Sequence, residues 1–161
     1  MNCLIIACSQ RKRDPLTLPY HSRDDVDGTP IAPAWAVYDG PLARIVRKHA
    51  PYRALSIWFL SARFGLIQAS YLIPLYDQKM TSQQAADPEW IGTHITVPWL
   101  LIGAAGFYEN VYTCLPRRYE AALVAGLESL GIEPTSLLSG DRRGQGYMSQ
   151  ALKAFCSERT S

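Results

Sequence analysis

The sequence opens on the apolar run Asn-Cys-Leu-Ile-Ile-Ala-Cys at residues 2–8, and the polar run Ser-Gln-Arg-Lys-Arg follows it at once. A short apolar run that ends in a polar loop is typical of a buried β-strand. Similar apolar runs cover residues 54–60 and 97–103, and each is followed by a loop that contains small residues. These three runs predict three strands of one sheet.

Helical patterns separate and follow the predicted strands. Residues 41–50 predict a helix that begins at Pro41, with Leu42, Ile45 and Val46 inward and Arg44, Arg47 and Lys48 outward. Residues 117–130 carry apolar side chains at spacings of three and four, and Gly131 predicts the end of that helix. A long loop is predicted over residues 14–34 and a partial helix over 78–91. Two further helices are predicted at 109–115 and 147–156, and a short strand at 132–138. Strands that alternate with helices predict an α/β fold, a single domain over residues 1–161 with a mostly parallel sheet flanked by helices.

The composition excludes several classes of protein. In a chain of 161 residues, 48% apolar and 19% charged residues exclude an intrinsically disordered protein, and a net charge of +2 excludes a histone-like one. No apolar run reaches the roughly 18–20 residues that span a bilayer, so no membrane partner is expected. The four cysteines have apolar flanks and no paired metal-ligand spacing, which favours reduced thiols in a cytoplasmic protein and argues against a zinc site. We expect no metal or organic cofactor. The oligomeric state stays open.

The loops after the predicted strands are the first candidate for a binding site. They cover residues 8–12, 61–65 and 103–106. If the strands are parallel, the three loops share one edge of the sheet, where α/β proteins bind ligands. Arg11, Lys12 and Arg63 bring positive charge to small residues there, a combination that suits a phosphate or a nucleotide.

Ten of the sixteen Lys and Arg residues are clustered along the chain. On one face they would follow a nucleic-acid backbone. A solvated helix surface is the favoured interpretation of Arg117 and Arg118. For Arg142 and Arg143, which lie between glycines, backbone binding and a plain surface role stay open. The clustered residues are Arg11, Lys12, Arg13, Arg44, Arg47, Lys48, Arg117, Arg118, Arg142 and Arg143.

Two aromatic–acidic pairs are candidates for chemistry. In Tyr76-Asp77 the carboxylate is suited to orient water, take a proton or stabilise a cationic, sugar-like transition state. Helix capping is an equally good interpretation of Asp77, and it is the favoured one for Asp39, which lies just before Pro41. Cys8 follows a predicted strand, and a buried thiol is favoured there over a nucleophile.

Four short motifs resemble a family of small bacterial and phage proteins, distantly similar to the YaaA peroxide-stress proteins. They are Cys8-Ser9-x-x-Lys12, Tyr38-x-Gly40, Ser61-Ala62-Arg63-Phe64-Gly65-Leu66 and Pro74-Leu75-Tyr76-Asp77. In the last motif Leu75 separates Pro74 from Tyr76, so that match is loose. The resemblance covers roughly residues 3–110.

The resemblance implies DNA binding, DNA protection or modified-base biology, because some members resemble anti-phage DNA glycosylases. We therefore expect a hydrolase that removes a modified or unusual base from DNA, with Asp77 stabilising the charged sugar. Two alternatives stay open: a non-catalytic DNA-binding module, and an N-glycosidase or deoxyribosyltransferase acting on free nucleotides. The expected catalytic residues are Asp77, Ser61 and Arg63. The expected DNA-binding or base-stacking residues are Ser9, Arg11, Lys12, Trp35, Tyr38, Tyr76, Arg142 and Arg143.

Overall fold

Strand β1 (Asn2–Ala7) is the centre of a five-stranded sheet and is buried along almost its whole length. Strands β4 (Leu55–Ser61) and β7 (Asn110–Cys114) flank it in parallel. On the far side of β7 lies the parallel β8 (Thr135–Ser136), and beyond β4 the antiparallel β5 (Gly65–Gln68). The structure is a computed structural model and describes residues 1–24, 26–50, 55–102, 107–140 and 144–159. The prediction of an α/β fold with a mostly parallel sheet is confirmed.

Helices cover both faces of the sheet, because side chains along β1 alternate between two apolar cores. Leu4 and Ile6 lie in a core with helices α2 (Pro41–His49) and α7 (Gln145–Glu158). Cys3 and Ile5 lie in the opposite core with helix α6 (Arg117–Glu128) and a helical segment at 88–101. The helices predicted from Pro41, from Arg117 and near the C-terminus are confirmed.

A small second sheet occupies part of the predicted long loop. Residues 14–34 form a 3-10 turn (Pro15–Thr17), strands β2 (Ser22–Arg23) and β3 (Pro30–Pro33), and the start of helix α1 (Ala34–Val37). Strand β3 pairs with β2 and with β6 (Leu72–Pro74). The prediction of an unstructured loop is therefore wrong there, because the pairing partner lies about forty residues further along the chain.

Residues 97–101 form a helix, so the predicted third strand is wrong. The segment after β6 contains α3 (Ser82–Ala86), α4 (Pro88–Ile91), a π-helical turn (Gly92–Thr96) and α5 (Val97–Leu101). In α5 the side chain of Trp99 is buried while Leu100 and Leu101 are exposed. One buried position per turn is the pattern of a helix on a sheet.

The third parallel strand beside β1 is β7, where a short helix is predicted. Val111 and Thr113 are buried on one side of it, and Cys114 enters the core on the other. That alternation belongs to a strand. In the described part of the chain, no helix has the length and apolar character needed to cross a membrane.

Candidate functional site

The carboxyl ends of β1 and β4 lie side by side, with Ala7 opposite Leu60. The loops that begin at Cys8 and Ala62 therefore share one edge of the sheet, as two of the three predicted loops should. The third predicted loop does not follow a strand, and residues 103–106 lie outside the described ranges. At this edge its place is taken by Leu115 and Pro116, which follow β7.

The connections from β1 and from β7 leave the sheet in opposite directions. From β1 the chain continues through α2 to β4, and from β7 it continues through α6 to β8 on the other side. Such a reversal opens a crevice between two strand ends, and ligands of open α/β sheets bind there. A pocket of about 510 Å³ occupies this crevice, and we call it the switch-point pocket.

Three helices begin at the switch-point pocket. Its lining includes Gly40 and Pro41 at the start of α2, Pro116 just before α6, and Gln145 at the start of α7. Helix amino ends present unpaired backbone N–H groups and a partial positive charge. Because three such helix ends converge on the switch-point pocket, the pocket suits an anionic ligand.

Basic side chains add to that field. Arg11, Lys79 and Arg118 all line the switch-point pocket. Arg118 also donates a 2.9 Å hydrogen bond from Nη1 to the carbonyl of Met80. The solvated-surface interpretation of Arg118 is therefore too simple, since its guanidinium holds a neighbouring chain segment at the pocket. Sequence reasoning missed Lys79 as a lining residue, because it belongs to no recognisable motif, whereas Gln10 lies in the predicted 8–12 loop.

A segment over residues 75–81, here called the strap, crosses the same edge and carries Asp77. The side chain of Gln78 donates a 2.9 Å hydrogen bond to the carbonyl of Ala62, after β4. The backbone N–H of Met80 donates to the hydroxyl of Tyr119 at 3.3 Å. These contacts fix the strap immediately after Asp77, which is itself exposed.

Asp77 shares a second hollow, of about 610 Å³, with Lys12. Gln10 lines this hollow and the switch-point pocket, so the two are neighbours. The cap of helix α3 is Thr81, whose hydroxyl accepts from the N–H of Gln84, so Asp77 does not cap that helix. The carboxylate of Asp77 and the amine of Lys12 thus line one hollow, beside a pocket suited to anions.

Lys12 lies over an aromatic surface in this hollow. Its Nζ is 4.2 Å from the ring centroid of Tyr76 and 5.9 Å from that of Tyr38. Its backbone pairs with Tyr38 in an isolated antiparallel bridge. Burial lowers the pKa of Lys12, and the charges of Cys8 and Asp77 oppose that shift. Lys12 is therefore held in place and partly withdrawn from water.

Beneath Lys12 runs a buried chain of three hydroxyl groups. The hydroxyls of Tyr38 and Tyr76 are 2.5 Å apart, and the Tyr76 hydroxyl is 2.9 Å from Oγ of Ser61. Ser61 Oγ also accepts from the backbone N–H groups of Arg63 and Phe64, each at 3.1 Å. Desolvation raises the pKa of both tyrosines far above the ordinary value, so their hydroxyls stay neutral.

The burial of these three hydroxyl groups changes the roles that the sequence predicts for their residues. Ser61 and Tyr38 have no exposed surface and Tyr76 has almost none. Ser61 is therefore not a residue that touches a substrate, and neither tyrosine offers an open ring face to a base. All three organise the site from below. Arg63 is exposed, with its guanidinium carbon 5.7 Å from the Tyr76 ring centroid.

Asp39 is the centre of an arginine cluster. Its buried carboxylate lies 2.7 to 3.4 Å from the guanidinium nitrogens of four arginines: Arg11, Arg13, Arg44 and Arg47. The capping interpretation of Asp39 is wrong, because the cap of α2 is Gly40 and no side chain bonds there. The outward placement of Arg47 is also wrong, since that side chain is mostly buried. Hydrogen bonds from Arg44, with a further one from Arg47, hold the pKa of Asp39 far below its usual range despite its burial.

Cys8 is partly exposed and lines the switch-point pocket, so the expectation of a buried thiol is wrong at this position. Its Sγ lies 3.8 Å from the hydroxyl of Tyr119. Burial, followed by the charge of Cys8, raises the pKa of Tyr119 to about 12. Tyr119 falls on the apolar repeat of α6, and the repeat gave no sign that its hydroxyl would reach the pocket.

The other predicted residues divide between the site and places outside it. Ser9 lines the switch-point pocket, and its Oγ donates to the carbonyl of Arg11 and accepts from the N–H of Asp39. Trp35 lies in a separate hollow with Arg47 and Leu55, so it is not part of the site. Arg142 and Arg143 lie outside the described residues.

Among the described residues, no group of three His, Cys, Asp or Glu side chains is placed to hold a metal ion. Comparison of the chain with protein-family models, with curated proteins and with solved structures found no match. Function is therefore inferred from the site itself.

Proposed function

We propose that this protein is a DNA-acting N-glycosylase, a hydrolase that removes a modified or unusual base from DNA. The observation that carries the proposal is the position of Asp77. Its carboxylate lies in a hollow next to a pocket suited to a phosphate, and Lys12 and Tyr76 line the same hollow. A nucleotide unit with its phosphate in the pocket would bring its sugar toward that carboxylate.

Hydrolysis of the bond between base and sugar requires a fixed negative charge beside the sugar. Hydrolysis of an N-glycosidic bond passes through an oxocarbenium-like sugar, and a carboxylate stabilises that cation and accepts a proton from the attacking water. The strap supplies the fixation, because Tyr76 is buried and Gln78 is hydrogen-bonded to Ala62. Asp77 is thus held between two anchored neighbours while its own carboxylate faces solvent.

The arginine cluster supports DNA over a free nucleotide as the substrate. Four guanidinium groups surround a single carboxylate, which leaves three positive charges in excess. Arg11, Arg13 and Arg44 are exposed, and Arg11 also lines the switch-point pocket. A free nucleotide needs only the pocket, whereas a phosphodiester backbone that leaves it would meet these charges.

The test is formation of abasic sites. Purified protein is incubated with plain DNA, with uracil-containing DNA and with phage DNA that carries hydroxymethylated or glucosylated cytosine. Alkaline cleavage then reveals abasic sites. We expect cleavage on one modified DNA and a loss of about 100-fold or more in Asp77→Asn.

Asp87→Asn is the matched control, because Asp87 is an exposed cap of α4 and asparagine caps a helix equally well. It should retain full activity. Wild-type protein that leaves every DNA intact, while turning over free nucleotides, would move the proposal to a nucleotide N-glycosidase.

The exposure of Asp77 favours one second candidate, a non-catalytic DNA-binding module. A solvated carboxylate is a weaker catalyst than one enclosed with its substrate. This candidate predicts salt-sensitive DNA binding that is unchanged in Asp77→Asn, with no abasic sites on any DNA.

A further inference from the structure

Lys12 differs chemically from the arginines around the site, and Lys79, a further lysine there, lines the switch-point pocket but not the hollow that holds Asp77. Arg11, Arg13 and Arg63 carry guanidinium groups, which keep their proton in proteins. Lys12 carries an amine that becomes a nucleophile once it loses its proton. Its Nζ sits 4.2 Å over the Tyr76 ring, in the same hollow as Asp77.

We propose that the amine of Lys12 forms an imine with C1′ of deoxyribose at an abasic site, which gives the protein an abasic-site lyase activity. The activity rests on the proposed function for its substrate, since an abasic sugar is the product of base removal. Lys12 itself is assigned by its geometry.

Three features of the structure favour a nucleophilic role for this amine. The backbone bridge to Tyr38 and the ring of Tyr76 define where Nζ lies. Partial burial favours the neutral amine, and the pKa of Lys12 is lowered for that reason. The neighbouring carboxylate of Asp77 is available to accept the proton that the amine releases.

The reaction balances without any oxidant or reductant. The lone pair of Nζ attacks the aldehyde carbon C1′ of the ring-opened sugar, and Asp77 takes a proton from the nitrogen. Asp77 passes that proton to the C1′ oxygen, a proton from solvent lets the resulting hydroxyl leave as water, and the protonated C=N bond forms. Asp77 then takes a proton from C2′, and the C3′–O bond breaks with its electron pair on the oxygen, which releases the downstream strand with a 5′-phosphate. Water finally hydrolyses the imine, restores Lys12 and returns a proton to solvent.

The experiment uses a duplex that already contains one abasic site, so the base that the protein removes need not be known. Sodium borohydride reduces an imine to a stable secondary amine, which appears as a protein–DNA band of lower mobility on a denaturing gel. We expect trapping by the wild-type protein and attachment at Lys12 by peptide mapping. Lys12→Arg should lower trapping by about 100-fold or more, because a guanidinium keeps the charge but is not a nucleophile.

Lys153→Arg is the matched control, since Lys153 is an exposed lysine on α7 outside both hollows. It should trap as well as the wild type. Asp77→Asn should slow trapping without moving the attachment point. Equal denaturation midpoints for wild type and Lys12→Arg would exclude misfolding as the cause of a loss.

Trapping that persists in Lys12→Arg, that maps to another lysine, or that fails in the wild type would overturn the assignment of Lys12. The excision assay, run in parallel, separates the two proposals. Base removal without trapping would support the glycosylase proposal and exclude the lyase proposal. Trapping at Lys12 without base removal from any DNA would support the lyase proposal and exclude the glycosylase proposal.

Discussion

The hydroxyl groups of Tyr38 and Tyr76 lie 2.5 Å apart in the protein interior, and the amine of Lys12 lies over the ring of Tyr76. Tyr38 follows helix α1, Tyr76 lies in the strap, and Ser61 ends β4. The hydroxyl chain therefore joins three segments that are distant in sequence. It holds Tyr76 in place, and Asp77 is the next residue.

Replacing the middle hydroxyl should cost more stability than replacing an end. Tyr76→Phe removes both hydrogen bonds of the chain and leaves Tyr38 and Ser61 to lose a buried partner, so we expect a loss of roughly 2–3 kcal/mol. Tyr38→Phe leaves the contact between Tyr76 and Ser61 intact, and about 1 kcal/mol should be lost. Urea denaturation measures both. Equal losses would show that the three hydroxyls do not act as one chain.

The fold class was predictable because the two central strands are local features. The apolar runs that became β1 and β4 need no distant partner to be recognised. The run at 97–103 misled because a short apolar run has no periodicity that separates a strand from a helix, although Pro98 inside it argues against a strand. The segment that forms β7 is rich in Val, Tyr and Thr, which favour strands, and the prediction of a helix there overlooks that composition.

The site was harder to predict because its contacts are long-range. The motifs identified Lys12 and Asp77, and the structure brings them into one hollow. The proline after Asp39 favours a helix cap, since nothing in the local sequence shows that Arg11 and Arg13 contact its carboxylate. The sequence also does not show which side chains are exposed. The motif predicts a catalytic role for Ser61, but its side chain is fully buried.

Gly65, where the chain turns from β4 into β5, should not tolerate a side chain. It has a φ of +72°, and a Cβ there would lie 2.1 Å from the carbonyl oxygen of His94. Gly65→Ala should therefore lower the free energy of unfolding by more than about 3 kcal/mol, by strain and by collision. Gly131→Ala is the control, because Gly131 has a φ of +71° and open space around it. Its loss should be only about 1 kcal/mol. Similar values for the two variants in chemical denaturation would contradict the collision.

Cys8 should be the one fast-reacting thiol in the native protein. Cys3, Cys114 and Cys156 have no exposed surface, and burial raises the pKa of the Cys3 and Cys156 thiols. Titration with a chromogenic disulfide should give one fast equivalent in native protein and four after denaturation. The three buried thiols should react at least about 100-fold more slowly, because they wait for local opening. Cys8→Ser should remove the fast phase, and a fast phase that survives would show that another cysteine is accessible.

The arginine cluster should make stability depend on acid pH through Asp39. Its folded-state pKa is depressed, so its contribution is fully present above the ordinary carboxyl value, about 4, and is lost as the pH falls below that value. At pH 7 we expect Asp39→Asn to lower the free energy of unfolding by about 2 kcal/mol. The loss stays below that of a fully buried pair, because Arg11, Arg13 and Arg44 reach water.

The difference in the free energy of unfolding between wild type and Asp39→Asn should then narrow steadily below about pH 4, because the unfolded wild-type chain takes up a proton on this carboxyl before the folded protein does. Denaturant unfolding at several pH values from 7 down to about 2 measures this difference in the free energy of unfolding. Asp87→Asn, at an exposed cap, should run parallel to the wild type throughout. A gap for Asp39→Asn that stays constant over this range would mean that Asp39 stabilises the fold by packing and not by its charge.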